Sequence, residues 1–176
     1  MEHYLILSAM ATDYPDLVLE LAKLAEASQC NIDSCRMNTL GREQVVMLKL
    51  SGNWNEIAKV EHSIEPWQER RKVRVLVTRT SIEAYSKTLL PYSVQLVALD
   101  SPGIVYRITQ FFHEHEIVPR EIACDAYISS QTATKMFTLS MTVGIPTEVH
   151  LATLRERFMM FCDDLNIDAI LEPIRN

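Results

Sequence analysis

The sequence predicts an α+β protein: two tandem βαββαβ units, each an antiparallel four-stranded sheet with two helices on one face. Three observations predict it. The chain repeats itself at a shift of 87 residues; both halves show the same order of apolar periodicities; and a polar stretch with Pro91 near its end separates them.

At that shift Asp13-Tyr14-Pro15-Asp16 falls on Asp100-Ser101-Pro102-Gly103. Leu17, Leu21 and Leu24 fall on Ile104, Ile108 and Phe111, and Cys35, Met37 and Thr39 fall on Ile122, Cys124 and Ala126. Apolar phase survives a loop, a helix and a strand, which chance rarely gives.

The elements follow in order. Tyr4–Met10 is a nearly continuous apolar run and reads as a buried strand. Leu17–Ser28 places Leu17, Val18, Leu21, Leu24 and Ala25 at helical spacing. Ser34–Leu40 alternates, with Cys35, Met37 and Thr39 on one face; Gly41 marks a turn and Gln44–Leu50 returns as a strand. Asn53–Ile64 is helical through Ile57, Val60 and Ile64, and Lys72–Thr78 is a last strand with Val73, Val75 and Val77 inward. The second half repeats the pattern: strand Ser93–Leu99, helix Ile104–His115, strands Glu121–Ile128 and Lys135–Val143. A helix carrying Leu151, Leu154, Phe158 and Phe161 follows, then a short strand at Ile167–Leu171. Pro146-Thr147 marks the start of that last helix. Both halves are thus the ferredoxin-like split unit, with residues 1–79 as the first domain, 80–92 as linker and 93–176 as the second.

Composition narrows the function. The chain has 176 residues, 48% hydrophobic and 23% charged, with a net charge of −6. An acidic chain has no general attraction to nucleic acid phosphates. No apolar run reaches the ~20 residues of a membrane span, and "MEHYLILSAM" lacks the basic start of a signal peptide, so a cytoplasmic location is expected. Cys30, Cys35, Cys124 and Cys162 sit among apolar residues without a CxxC pair and read as reduced, buried thiols.

The Asp-Ser-Pro-Gly corner joins the first strand of the second half to its first helix. Asp100 can cap that helix, Pro102 suits the first turn, and Gly103 removes a Cβ so that a ligand or another backbone can approach. The amides of Gly103, Ile104 and Val105 then face an anion such as a carboxylate; a tight turn with no ligand is the simpler reading of the loop alone.

A βαββαβ unit with Asp-x-Pro-Gly after its first strand and Asn-Ile after its first helix resembles the ACT domain, an amino-acid-sensing module. The tandem layout, with "HYLILSAMATDYPD", "CNIDSCRMNTLG" and "LSGNWNEI", resembles the family of glycine cleavage system transcriptional repressors. The resemblance implies a non-enzymatic regulator that binds a partner transcription activator protein. It further implies that a small amino-acid effector, glycine, relieves repression and that DNA is not contacted directly. In such modules the ligand usually lies between two units, the glycine corner of one supplying amides and the asparagine of the other a side chain. Here the parts are divided. The first half keeps Asn31-Ile32 but has Asp16 for the glycine, and the second keeps Gly103 but has Val118-Pro119 for Asn-Ile. The expectation is one composite ligand site: Asp100, Ser101, Pro102, Gly103 and Ile104 with Asn31. Asp16 adds a Cβ and a negative charge, both opposed to a carboxylate at the first corner.

Other candidates read as structural. His113 and His115 flank Glu114 on one helix, where i and i+2 do not share a face, so no metal site is expected. Glu69-Arg70-Arg71-Lys72 reads as a solvated rim before a strand, and Trp54, Trp67 and Tyr4 as packing or interface residues. No nucleophile–base, P-loop or GxGxxG pattern occurs, so no catalytic residue and no cofactor is expected. The runner-up function is a stand-alone ACT-type regulatory subunit of an amino-acid metabolic enzyme. Exposed sheet edges need covering, and a homodimer is one remedy.

Overall fold

The computed structural model describes residues 2–81 and 89–174, and the chain divides into two compact units, Met1–Ala84 and Tyr85–Asn176. Unit 1 runs β1 (His3–Thr12), α1 (Leu17–Ala27), β2 (Asn31–Leu40), β3 (Glu43–Gly52), α2 (Trp54–Arg71) and β4 (Arg74–Thr80). Unit 2 runs β5 (Leu89–Leu99), α3 (Ile104–Glu114), β6 (Pro119–Ile128), β7 (Lys135–Pro146), α4 (Leu151–Asp164) and β8 (Asp168–Pro173). Each sheet is antiparallel with matching order, β2-β3-β1-β4 and β6-β7-β5-β8. The α+β fold of two βαββαβ units is the one the repeat predicts.

Period-two alternation aims one face of each sheet at its helices. In unit 1, Leu5, Leu7, Val46, Leu48 and Leu50 meet Leu17 and Leu21 of α1 and Ile57, Val60 and Trp67 of α2. In unit 2, Val94, Leu96, Leu139 and Val143 meet Ile108, Phe112 and Phe158. The Phe112 and Phe158 rings lie 5.2 Å apart, tilted at 43°. Burying each such side chain contributes roughly 1.5–3 kcal/mol, so each unit holds itself together on its own core.

The duplication is also written in the backbone. Gln29 and Glu116, at the ends of α1 and α3, both take left-handed conformations with φ of 62° and 57°. Behind them Cys30 N–H donates to the Ala25 carbonyl and Ile117 N–H to that of Phe112, each at 2.9 Å. The edge strands carry the same irregularity, a one-residue bulge between Ile32 and Ser34 and between Pro119 and Glu121.

Several boundaries depart from the sequence reading. Of the expected linker 80–92, Thr80 ends β4, residues 82–88 lie outside the described residues, and Leu89–Tyr92 belongs to β5. Pro91 is tolerated there because its carbonyl, on the side away from β7, accepts from Ile174 N–H at 3.0 Å. Its missing N–H is therefore on that side too, where β8 has already ended at Pro173, and costs the β7 ladder nothing. Opposite it stands Gly144, where a Cβ would meet Leu89 Cδ1 at 2.9 Å. Helix α2 does not stop at Ile64: it continues through Pro66 to Arg71, so Glu69 and Arg70 are helical and Lys72, with φ 57°, ends the helix. Pro146 closes β7, and α4 is capped instead by His150. Cys30 and Cys162 are buried, but Cys35 and Cys124 are exposed. Both lie on edge strands, one side of which lacks a neighbouring strand.

Candidate functional site

The two corners share one anchoring device. Asp13 N–H donates to the Arg42 carbonyl and Asp100 N–H to the Lys135 carbonyl, both at 2.9 Å. Each carboxylate meets the same basic residue again through its side chain. Asp13 pairs with Arg42, and Asp100 with Lys135 Nζ at 2.6 Å. Each corner is thereby tied to the start of the strand after its hairpin. Asp100 is therefore not the helix cap that the sequence suggested: its carboxylate is turned to Lys135, and Gly103 holds the capping position without a side-chain bond. Sequence reasoning missed Lys135 and Arg42; the signal was a basic residue just after each hairpin turn.

Beyond the anchor the corners diverge. In unit 1 the left-handed residue is Asp13, with φ 48°, and Asp16 precedes α1 at φ −89°. The turn closes on itself, Leu17 N–H donating to the Tyr14 carbonyl at 3.1 Å. In unit 2 the left-handed residue has moved to Gly103, with φ 94° and ψ −2°. The Gly103 carbonyl accepts from Arg107 N–H at 2.9 Å, and residues 102–103 form a turn as 15–16 do, but without a bond to Ile104 N–H as short as that of Leu17. A Cβ built on Gly103 finds nothing within 4 Å, so the space above it is open.

The charges follow the backbone. Lys135 offsets Asp100, which leaves the α3 N-terminus able to receive a negative group. At the unit 1 corner Arg42 offsets Asp13, but Asp16 remains with no capping hydrogen bond and disfavours a carboxylate.

Asp100, Ser101, Pro102, Gly103 and Ile104 thus form one corner of unit 2, and Pro102 sits in the turn before the helix rather than in its first turn. Asn31 stands in unit 1, where it opens β2 and is exposed. Its Nδ2 donates to Asp33 Oδ1 at 2.9 Å, and Asp33 also accepts from Ser51 Oγ at 2.7 Å. Lys49 Nζ lies 3.7 Å from Asp33 and 4.6 Å from the Tyr4 ring centroid. The Ser51 hydroxyl first, then Asn31 and Lys49, hold the Asp33 carboxyl below the usual range against the opposing effect of its partial burial. With Nδ2 engaged, Asn31 presents its Oδ1 as an acceptor.

Among the described residues no three His, Cys, Asp or Glu side chains converge as metal ligands. His115 instead places Nδ1 2.7 Å from the Phe111 carbonyl and its ring 4.4 Å from that of Phe111. Trp67 is in the unit 1 core, whereas Trp54 is exposed, with the Arg79 guanidinium 5.8 Å from its ring. No helix among the described residues is long and apolar enough to cross a membrane.

Comparison with known proteins places this geometry in a family context. Residues 3–78 match the model of the ACT domain. The chain is 26% identical over 175 residues to the glycine cleavage system transcriptional repressors of Escherichia coli and Shigella flexneri. The match covers 98% of this chain and 91% of each relative. A crystal structure named as a glycine cleavage system transcriptional repressor superposes with a TM-score of 0.75 at 23% identity, over 100% of this chain and 99% of that one. A protein of unknown function from Galdieria sulphuraria gives a TM-score of 0.80 at 16% identity, covering 99% and 100%. These two structures share the fold of both units in tandem.

Proposed function

We propose that this chain, a tandem ACT-domain protein related to the glycine cleavage system transcriptional repressors, is a non-enzymatic cytoplasmic regulator that holds a partner transcription activator protein in response to glycine. The single observation that supports an effector at this fold is the unit 2 corner: open space above a left-handed Gly103 at the start of α3, and an aspartate already offset by Lys135. A carboxylate fits such a corner. Asn31 Oδ1 complements it, as an acceptor for the ammonium group of the same amino acid. The unit 1 corner, closed on Leu17 N–H and bearing Asp16, takes no carboxylate in this reading.

Regulation needs the effector to bind one state more tightly than the other, and the partner to be held by only one of them. Calorimetric titration with glycine tests the site. One mole binds per mole of chain, and binding is lost in Gly103→Val and weakened about 10-fold or more in Asn31→Ala, as expected when a hydrogen bond to a charged group is removed. Unchanged affinity in either variant overturns the composite site, and two bound glycines per chain overturn the inactive unit 1 corner. An activator-dependent reporter, with and without the protein, tests the partner. Output that ignores the protein while a metabolic enzyme co-purifies would favour the regulatory-subunit alternative.

A further inference from the structure

The seam between the two helices of each unit is built from equivalent positions. Lys72 and Asn166 are both left-handed, with φ of 57° and 53°. Behind them Val73 N–H donates to the Gln68 carbonyl, as Ile167 N–H does to that of Cys162. Trp67 of α2 is therefore level with Phe161 of α4, and the shift of 87 residues puts Leu24 of α1 level with Phe111 of α3. In unit 2 the two rings stack, 5.1 Å apart at 29°, and close the seam. In unit 1 Leu24 offers Trp67 no ring to stack on, and a cavity of about 320 Å3 opens between α1 and α2. Leu24 and Trp67 are its buried apolar floor; Lys23, Ser63, Arg70 and Arg71 line its exposed rim. Glu20, on the same rim, is already engaged by Arg71 and by the Tyr14 hydroxyl. Arg70 donates through Nε to the Pro66 carbonyl at 3.0 Å, which leaves its terminal nitrogens as donors. Among the described residues Lys23 and Arg70 form no ion pair. Nor does a helix end here require such cations, since α4 ends with no basic residue in its last turn.

We propose that this cavity binds a small molecule carrying a phosphate monoester on a planar apolar body. Its volume is that of a small-molecule site rather than of a bare ion. Two cations without acidic partners, on a chain of net charge −6, select an anion of matching charge. A phosphate monoester carries about −1.5 to −2 at pH 7 and three acceptor oxygens. The Arg70 guanidinium takes two of those oxygens, Lys23 supplies the second positive charge, and the Ser63 hydroxyl donates. The planar body lies against Leu24 and the Trp67 indole, where burial of its apolar area adds affinity. The site lies within unit 1 and uses no residue of the effector corner, so it stands or falls apart from the glycine reading.

The experiment is tryptophan fluorescence of the full chain carrying Trp54→Phe, in which Trp67 is the sole reporter. Phenyl phosphate is expected to shift the Trp67 emission and to saturate. Inorganic phosphate binds at least about 10-fold more weakly for want of the ring, and phenol, or sodium chloride at equal ionic strength, has no effect. Lys23→Gln together with Arg70→Gln weakens phenyl phosphate at least about 10-fold, the cost of losing hydrogen bonds to a charged group. Leu24→Phe rebuilds the aromatic pair of unit 2, closes the cavity and abolishes the response. Far-UV circular dichroism checks that each variant is folded, and the two exposed substitutions carry the test should Leu24→Phe not fold. An emission indifferent to about 10 mM phenyl phosphate, which fills most of any site of millimolar affinity, overturns the proposal. So does an affinity unchanged in the double variant. Benzoate binding as tightly as phenyl phosphate would overturn the choice of phosphate, and an acidic peptide that binds through Arg70 while phenyl phosphate does not would assign the groove to a protein instead.

Discussion

At the unit 1 corner the Leu17 amide bonds the Tyr14 carbonyl at 3.1 Å; at the unit 2 corner residues 102–103 make the equivalent turn without so short a bond, and a left-handed glycine stands before the helix. The anchors are alike, an aspartate pinned to a basic residue at the entry to the strand after the hairpin, Arg42 just before β3 and Lys135 at the start of β7. What differs is where the left-handed residue sits: at Asp13 before the turn in one unit, at Gly103 within it in the other. Moving that conformation by three positions puts a residue without a Cβ, with open space above it, at the start of a helix. The lesson is that a duplicated motif can keep its fastening and change what it exposes. Glycine is informative here because it marks where the backbone turns left.

The comparison can first be broken at the cores. Phe158→Ala empties a fully buried ring site in unit 2 and should cost about 3–5 kcal/mol. Trp54 and Trp67 both belong to unit 1. Urea melts followed by tryptophan fluorescence should then report unit 1 nearly unchanged, while circular dichroism shows an early transition from unit 2. Coincident shifts in both signals would mean that the units unfold as one. Next comes the corner itself. Gly103→Val forces a β-branched residue to φ 94° and should lower stability by ~1–3 kcal/mol. Because the space is open, this cost is conformational rather than a clash, and Gly103→Asn should be milder. The matching change Asp16→Gly in unit 1 should cost only a few tenths of a kcal/mol.

Helix starts sharpen the contrast on a smaller scale. Asn53 caps α2 reciprocally with Glu56, accepting at 2.9 and 3.0 Å, while His150 caps α4 through a longer 3.4 Å bond. Asn53→Ala should cost about 1 kcal/mol and His150→Ala less, measured by chemical denaturation. The smallest effect is at Asp33. Its folded pKa lies below the usual value, so its contribution is present above the unfolded pKa of about 3.9 and fades as pH falls through the folded value. Asp33→Asn should lose less than about 1 kcal/mol at pH 7 and show a flatter stability profile between pH 5 and the folded pKa.

Much of this was legible in the sequence because the repeat carries it. Apolar phase placed every strand and helix, and the glycine of the second corner singled out Gly103. The misreadings have physical causes. Pro91 looks like a strand breaker until β8 is seen to end before its bare side. The helix expected to stop at Ile64 carries on through Pro66 to Arg71, from a start fixed by the Asn53–Glu56 pair. Asp100 looks like a cap until Lys135, far along the chain, takes its carboxylate. Cys35 and Cys124 sit at inward-phased positions, yet phase says nothing of whether a strand lies at the edge. Such facts depend on which residues meet across the sheet, and no local window contains them.

The surplus residue in each edge strand has a genetic corollary. It is absorbed at one point, so the residues on either side keep consecutive partners on the neighbouring strand. Loss of the Asp33 codon would turn the bulged strand into a regular one, with Ile32 still opposite Leu50, Ser34 opposite Lys49 and Cys35 opposite Leu48. Loss of the Arg120 codon would do the same in β6, with Pro119 still opposite Val143 and Glu121 opposite Thr142. Substitutions can accumulate along these strands, as the divergence of the two repeats shows, and the bulge is the point at which their length can change by one without moving a side chain across the sheet.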